Sequence, residues 1–256
     1  MRISLIQSNL HWADKHQNFA EFENKLAALK GTCDLAILPE MFSTACCYQR
    51  TDLAENIDGE TVFLLKKWAH NFGFAIVGSF FATENDNFFN RAFFVSSNGH
   101  ATFADKRHTF SLAGENKYIT KGNKKLIVNY LGMNICVMVC YDIRFPVWMR
   151  NVDNQYDLLI FTANFPDSRI AAWDALLPAR AIENQAFVCG VNCVGTDEDG
   201  TFYSGHSALI NFKGNIIARC TDNTETMLTA EIELSDLQKF RTKFPFYADA
   251  DKFEML

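Results

Sequence analysis

The sequence lacks the features that mark membrane, secreted and nucleic-acid-binding proteins. Its most apolar stretches, residues 72–82 and 135–139, are far shorter than the roughly 20 residues that a membrane-spanning helix needs. Residues 1–7 alternate like a strand and lack the apolar run and cleavage site of a signal peptide. The formal net charge is −6 without a basic stripe, which argues against nucleic acid or a membrane surface as a partner. We therefore expect a cytoplasmic protein.

The cysteines lack any CxxC pair, the spacing typical of zinc ribbons and dithiol redox motifs. The chain has eight cysteines, and Cys136, Cys189 and Cys193 lie in apolar, strand-like runs, where a free thiol behaves as a small hydrophobic side chain. A chain of 256 residues can build its own core without cross-links. We expect free thiols and no metal site. A redox or metal-binding protein is the alternative, which a thiol count and a metal analysis would distinguish.

Linkers, internal repeats and low-complexity segments are also absent, so the simplest organisation is a single domain over residues 1–256. Hydrophobic residues make up 48% of the chain and charged residues 21%, as in an ordinary globular protein. Most of the 24 phenylalanines are expected in the core, because exposed phenylalanine lowers solubility.

The hydrophobic pattern alternates between strands and helices. Short apolar runs predict strands buried on both faces, at residues 34–39, 135–140 and 157–163. Helical spacing predicts helices over residues 61–72 and 168–184, and Pro178 argues for a kink or a break in the second. The tail, residues 235–256, is more polar. This mixture predicts a layered α/β fold with mixed sheets.

Three polar or reactive side chains stand where apolar strands end: Glu40, Lys106 and Cys140. Strand ends that open onto loops are where α/β proteins place their sites. A glutamate within hydrogen-bond reach can take the proton of a thiol, and a thiolate is a good nucleophile. Lys106 and the backbone N–H of Tyr141 would stabilise a negatively charged oxygen. The three side chains thus supply a base, an electrostatic stabiliser and a nucleophile.

Each of these residues also has an ordinary structural explanation. A glutamate at a strand end is usually solvated, a lysine in a charged run is usually on the surface, and a cysteine in an apolar strand usually packs in the core. Their spacing along the chain does not by itself bring them together.

The segments around these residues resemble a known family. Glu40 in LPEMF, Lys106 in DKRH and Cys140 in VCYDIRFP are similar, in order and separation, to the three signature segments of the nitrilase, or carbon–nitrogen hydrolase, superfamily. CYDIRFP resembles the Nit-type omega-amidase branch, and the similarity extends through residues 179–185 into the tail. The resemblance implies an αββα sandwich. It also implies that two protomers pair into a four-layer-forming arrangement, as a homodimer or a higher homo-oligomer.

The resemblance assigns roles to individual residues. It implies a catalytic triad of Glu40, Lys106 and Cys140, assisted by Glu115 in the loop after the lysine, with no metal or organic cofactor. Two positions depart from the pattern of relatives: Val147 stands where a glutamate is common, and Phe165 where a tryptophan is common. Both departures affect the expected shape of the pocket and leave the triad intact.

The substrate expected from the resemblance is a small amide. An omega-amidase hydrolyses the terminal amide of a short α-keto or dicarboxylic acid monoamide, such as 2-oxoglutaramate or 2-oxosuccinamate. Arg144 is a candidate to bind the carboxylate of such a substrate; the alternative is an ion pair with Asp142. Other small amides, including deaminated glutathione and N-carbamoyl compounds, and nitriles remain alternatives, as does a catalytically idle fold.

Overall fold

The computed structural model describes residues 1–251, 253 and 254. The strands are, in chain order, β1 (Arg2–Gln7), β2 (Leu35–Ile37), β3 (Ala75–Glu84), β4 (Asn87–Val95), β5 (Ala101–Asp105), β6 (Leu126–Tyr130), β7 (Met133–Val139), β8 (Leu158–Ala163), β9 (Phe187–Asn192), β10 (Val194–Thr196), β11 (Phe202–Ser204), β12 (Ala208–Ile210), β13 (Ile216–Arg219) and β14 (Thr226–Glu231). The α-helices are α1 (Lys15–Ala28), α2 (Glu60–Phe72), α3 (Pro146–Met149), α4 (Ile170–Asn184) and α5 (Leu234–Lys243). No helix in these ranges is long and apolar enough to cross a membrane.

Most strands belong to two six-stranded sheets. The first has the order β14-β1-β2-β3-β4-β5 and the second β13-β12-β9-β8-β7-β6. In each sheet three central strands are parallel, β1-β2-β3 in the first and β7-β8-β9 in the second, and the outer pairings are antiparallel. Strands β10 and β11 form a separate hairpin.

The two sheets pack face to face between layers of helices. Leu5 and Ile37 of the first sheet share a core with Ile160 of the second. The neighbouring residue Ile6 faces the opposite side and packs with Trp68 of α2, because successive side chains of a strand alternate between its faces. Helices therefore cover the outer face of the first sheet.

Helix α4 covers the outer face of the second sheet. A Cβ atom added at Gly190 of β9 would lie 2.6 Å from Trp173 and 2.7 Å from Leu177, so glycine is needed for this close approach. The layers are thus helix, sheet, sheet, helix, and the predicted αββα sandwich is confirmed.

Helix α4 continues through Pro178 to Asn184, so the alternative of a break in this helix is wrong. Proline in a helix interior costs about 3 kcal/mol. Contacts on both sides of the proline outweigh this cost, because Trp173 is fully buried before it and Arg180 donates two hydrogen bonds to the carbonyl oxygen of Ile143 after it.

The polar tail contains a helix, α5, that the hydrophobic pattern did not predict. Arg241 fixes this helix to the second sheet: its Nη1 lies 2.6 Å from Oδ1 of Asp157, and its Nη2 donates to the carbonyl oxygen of Tyr156 at 2.7 Å. The helix is mostly exposed, so its amphipathic signal is weak and tertiary contacts decide its position. Positions 252, 255 and 256 of the tail lie outside the described residues.

Candidate active site

The Glu40 carboxylate is buried where the C-terminal ends of the parallel strands β1-β2-β3 meet those of β7-β8-β9. Glu40 follows β2, and its backbone N–H donates to the carbonyl oxygen of Ala163 at the end of β8. Its Oε1 accepts from Nδ2 of Asn90 at 2.7 Å and from Nζ of Lys106 at 2.9 Å. Its Oε2 accepts from the backbone N–H of Asn164 at 2.9 Å. Glu40 is therefore held by three donors rather than solvated.

Lys106 bridges two buried carboxylates. It follows β5, and Nζ lies 2.9 Å from Oε1 of Glu40 and 2.9 and 3.0 Å from the two carboxylate oxygens of Glu115. Burial works to lower the pKa of Lys106, but the negative charges of Glu115 and Glu40 outweigh it and raise the pKa well above its ordinary value. The lysine is therefore a fixed positive charge inside the protein.

Glu115 lies where the resemblance implied, in the loop after the lysine. It begins a 3₁₀ helix (Glu115–Lys117) directly after Gly114, whose φ of 75° suits glycine. Besides Lys106, its Oε2 accepts a hydrogen bond from the backbone N–H of Phe110 at 2.6 Å. The carboxylate is thus fixed on the same ammonium group as Glu40.

Cys140 leaves the strand at a sharp turn. Strand β7 ends at Val139, one residue earlier than expected, and Cys140 begins a 3₁₀ helix (Cys140–Arg144) with a φ of 44°. This left-handed conformation is unfavourable for a residue with a Cβ atom and typically costs about 1–3 kcal/mol. Burial and the negative charge of Glu40 raise the pKa of the Cys140 thiol well above its ordinary value, and Lys106 opposes them. The thiol is therefore protonated until a base removes its proton.

The turn at Cys140 is held by the side chain of Asp142. Its Oδ2 accepts from the backbone N–H of Val139 at 3.2 Å. Its Oδ1 accepts from the backbone N–H of His108 at 3.0 Å and lies 2.8 Å from Nδ1 of the same histidine. His108 also stacks on Phe145, with ring centroids 3.7 Å apart. Asp142 and His108 thus support the backbone that carries the thiol.

One open cleft, with a cavity volume of about 170 Å³, contains the four clustered side chains Glu40, Lys106, Glu115 and Cys140. A cleft of this size suits a small substrate. Tyr141 also lines the cleft, and its ring packs against Phe110 at a centroid distance of 4.9 Å. In the described part of the chain, no group of three or more His, Cys, Asp or Glu side chains is placed to hold a metal ion. All eight cysteines are free thiols.

Arg144 faces the cleft and does not pair with Asp142, so the alternative of an Arg144–Asp142 ion pair is wrong. Asp142 is instead used by His108 and Val139, as described above. The guanidinium carbon of Arg144 lies 5.4 Å from the ring centroid of Phe165, and Arg144 forms no ion pair with any described residue. Its charge is available for a ligand.

Residues of the site that the sequence analysis does not identify include Asn90, Asn164 and Arg169. Asn90 lies inside β4 and gives no local signal. Asn164 follows the buried strand β8 as Glu40 and Cys140 follow theirs, so the same rule of polar residues at strand ends would have identified it. Arg169 lines the cleft and lies over the ring of Phe110, 4.7 Å from its centroid.

The family model of the carbon–nitrogen hydrolases, described as "Carbon-nitrogen hydrolase", matches residues 2–242. The chain belongs to this family. This carbon–nitrogen hydrolase is 39% identical to the omega-amidase YafV of Escherichia coli, over 100% of this chain and 98% of the relative. It is 31% identical to the 2-oxoglutaramate amidase of Bacillus subtilis, over 98% of this chain and 97% of the relative. The resemblance inferred from the three motifs is confirmed.

A solved structure of the same superfamily shares the fold of this carbon–nitrogen hydrolase. The protein XC1258 of Xanthomonas campestris, a CN-hydrolase superfamily member with an arsenic adduct in its active site, superposes with a TM-score of 0.97 at 37% identity. The match covers 100% of this chain and 99% of that structure. The fold class predicted from the resemblance is therefore correct for the whole described chain.

Proposed function

We propose that this protein is an omega-amidase-like enzyme. It hydrolyses the terminal amide of short α-keto or dicarboxylic acid monoamides, such as 2-oxoglutaramate and 2-oxosuccinamate, to the acid and ammonia. The observation that carries the proposal is the convergence of Glu40, Lys106 and Glu115 beside Cys140 in one cleft. Relatives of full length named omega-amidase and 2-oxoglutaramate amidase support the substrate class.

In the first step Cys140 forms a thioester. Glu40 accepts the thiol proton while the sulfur attacks the amide carbon. Lys106 and the backbone N–H of Tyr141 stabilise the negative charge that develops on the carbonyl oxygen. Glu40 then delivers the proton to the nitrogen, the carbon–nitrogen bond breaks, and ammonia leaves.

In the second step water releases the acid. Glu40 accepts a proton from the water as its oxygen attacks the thioester carbon, and Glu115 assists from the other side of Lys106. The carbon–sulfur bond breaks, and the proton returns from Glu40 to the thiolate. Glu40 and Cys140 thus exchange one proton over the cycle. The cycle uses no metal or organic cofactor.

The substrate carboxylate is assigned to Arg144. A guanidinium binds a carboxylate through two parallel hydrogen bonds, and Arg144 faces the cleft without a protein carboxylate as partner among the described residues. In a monoamide of a dicarboxylic acid the free carboxylate lies a few bonds from the amide, and Arg144 and Cys140 line the same cleft.

The proposal extends to organisation in the cell. The chain forms one domain over residues 1–256, acts in the cytoplasm as a homodimer or a higher homo-oligomer, and has neither nucleic acid nor a membrane as a partner. The homodimer or higher homo-oligomer is what the resemblance to the nitrilase superfamily implies.

Ammonia release from 2-oxoglutaramate tests the function directly, with glutamine and a simple nitrile as parallel substrates and Cys140→Ala as the control. We expect release from the oxo-amide that is absent in the variant. A folded wild-type protein that acts on none of the three would contradict the assignment. The search would then turn to deaminated glutathione, N-carbamoyl compounds and other small amides.

A further inference from the structure

Arg169 is a second arginine of the cleft, and the proposed reaction does not use it. It ends a 3₁₀ helix (Asp167–Arg169) that follows β8, and its side chain lines the cleft. The residue is exposed, so a small molecule in the cleft can reach it. Its guanidinium carbon lies 4.7 Å from the ring centroid of Phe110, and its side chain forms no ion pair or hydrogen bond with any described residue.

Two aspartates that line the same cleft leave this charge unpaired. The Asp197 carboxylate is used within its own hairpin: Oδ1 accepts from the backbone N–H groups of Asp199 at 3.1 Å and Thr201 at 2.8 Å. Its Oδ2 accepts from the hydroxyl of Tyr203 at 2.9 Å. Asp199 is exposed, and in the described ranges neither aspartate forms an ion pair with Arg169.

Helix stability does not explain an arginine at position 169. Arg169 directly precedes α4, and its side chain makes no capping hydrogen bond to the first turn of that helix. Serine, threonine, aspartate and asparagine are preferred at such a position, because their side chains accept from the free backbone N–H groups. A positive charge there is unfavourable, because the helix dipole is positive at its N-terminus. A ligand explains the arginine better than the fold does.

The two arginines of the cleft need different acceptors on the proposed substrate. A guanidinium carries only donors. In 2-oxoglutaramate the carboxylate takes Arg144 through two parallel hydrogen bonds. The remaining acceptor at that end of the substrate is the 2-oxo oxygen, on the carbon next to the carboxylate. Both arginines line a cavity of about 170 Å³, so one small substrate can contact both.

We propose that Arg169 donates a hydrogen bond to the 2-oxo oxygen of the substrate. Arg169 then determines specificity: it favours α-keto acid monoamides over the same monoamides without the oxo group. It also disfavours glutamine, whose ammonium group offers no acceptor at that carbon. This inference rests on the proposed function for the orientation of the substrate, and it adds a residue outside the three signature segments.

Support of the cleft wall is the alternative role of Arg169, because its guanidinium lies over Phe110. The backbone N–H of Phe110 donates to Oε2 of Glu115 at 2.6 Å. Loss of such support would displace Glu115 and slow all substrates by a similar factor. A hydrogen bond to the oxo group, in contrast, acts only on substrates that have this group. A comparison of two substrates therefore separates the two roles.

The experiment compares 2-oxoglutaramate with glutaramate, the monoamide of the same length without the oxo group. The measured quantity is the ratio of their kcat/KM values, in which effects common to both substrates cancel. Arg169→Met removes the donors and keeps a long apolar side chain against Phe110. We expect the ratio to fall about tenfold, the loss of one hydrogen bond from a charged group.

Two control variants accompany this comparison. Phe110→Leu removes the ring under the guanidinium, so both kcat/KM values should fall together and their ratio should stay unchanged. Lys213→Met removes a cation that lies 5.8 Å from the ring centroid of Phe240, outside the residues that line the cleft. It should change neither value.

An unchanged ratio in Arg169→Met would overturn the inference, whether both values fall together or neither changes. Calorimetric titration of Cys140→Ala gives a second readout that needs no turnover. Adding Arg169→Met to this variant should weaken the binding of 2-oxoglutaramate about tenfold more than that of glutaramate. Wild-type protein that hydrolyses neither monoamide overturns the proposed function, and the titration then decides the inference by itself. Equal weakening, or no binding of 2-oxoglutaramate to Cys140→Ala, contradicts the role of Arg169.

Discussion

The ammonium group of Lys106 and the carboxylate of Glu40 form an ion pair inside the protein, with Nζ 2.9 Å from Oε1 and both side chains 1% exposed. An isolated charge at this depth would be strongly unfavourable. Glu115 adds a second carboxylate on the same ammonium group. Lys106 therefore serves both carboxylates, and removing it leaves two uncompensated negative charges.

Replacement of Lys106 by methionine tests this dependence. Lys106→Met leaves two carboxylates facing each other without a counter-charge, so we expect a loss of about 3 kcal/mol or more in the free energy of unfolding. Ammonia release should fall at least about 100-fold, because the oxyanion loses its charged partner. Urea unfolding and steady-state kinetics measure the two effects. The control is Lys67→Met, an exposed lysine whose ion pair with Glu23 is 4.0 Å long, with an expected change below about 0.5 kcal/mol.

The left-handed backbone of Cys140 predicts an unusual order of stability. Glycine adopts a φ of 44° without penalty and alanine does not, so Cys140→Gly should be more stable than Cys140→Ala by about 1 kcal/mol. Both variants should lack amidase activity. Urea denaturation of the two purified variants gives the comparison. A less stable glycine variant would show that the turn is not strained.

Removal of the Glu40 charge should have opposite effects on two properties of the site. It should make the Cys140 thiol easier to ionise, and it should abolish amide hydrolysis. Burial and, after it, the charge of Glu40 are the largest causes of the raised pKa of the thiol, so Glu40→Gln should lower that pKa. Since alkylation requires the thiolate, the pH midpoint of iodoacetamide labelling of Cys140 should move downward in this variant. Amide hydrolysis should be lost at the same time.

Mass spectrometry of the labelled Cys140 peptide between about pH 6 and pH 10 follows this shift. Cys140→Ala identifies signal from the other cysteines. Slower labelling of Glu40→Gln at every pH would mean that Glu40 acts on the thiol only as a base and that its charge does not suppress ionisation.

Replacement of Arg144 should weaken the binding of carboxylate-bearing amides more than the binding of neutral amides. Arg144→Lys keeps the positive charge but loses the two parallel hydrogen bonds to a carboxylate, so KM for carboxylate-bearing amides should rise about tenfold. KM for neutral amides of similar size should change less. Steady-state kinetics on 2-oxoglutaramate and on butyramide give the two values. Equal increases for both amides would exclude a carboxylate clamp at Arg144.

The local sequence predicts the helices and strands that have a regular hydrophobic pattern. It does not predict the elements whose conformation depends on tertiary contacts. The strand 157–163 and the helix 61–72 were found within one residue of their bounds, because their apolar spacing is regular. Helix α5 and the hairpin of β10 and β11 are not predicted, since α5 is largely exposed and each strand of the hairpin has only three residues. The sequence predicts a strand through Cys140 because its neighbours are apolar, whereas the structure has a turn there.

The sequence by itself determined the family and four charged or nucleophilic residues, because Glu40, Lys106, Glu115 and Cys140 lie in segments with a recognisable order. Only the tertiary structure decided how they are held. The partners of Glu40 are 50, 66 and 124 residues away along the chain, in Asn90, Lys106 and Asn164. Hydrogen bonds act over about 3 Å in space and leave no periodic pattern in the chain. Two packed sheets are therefore needed to bring these donors to one carboxylate.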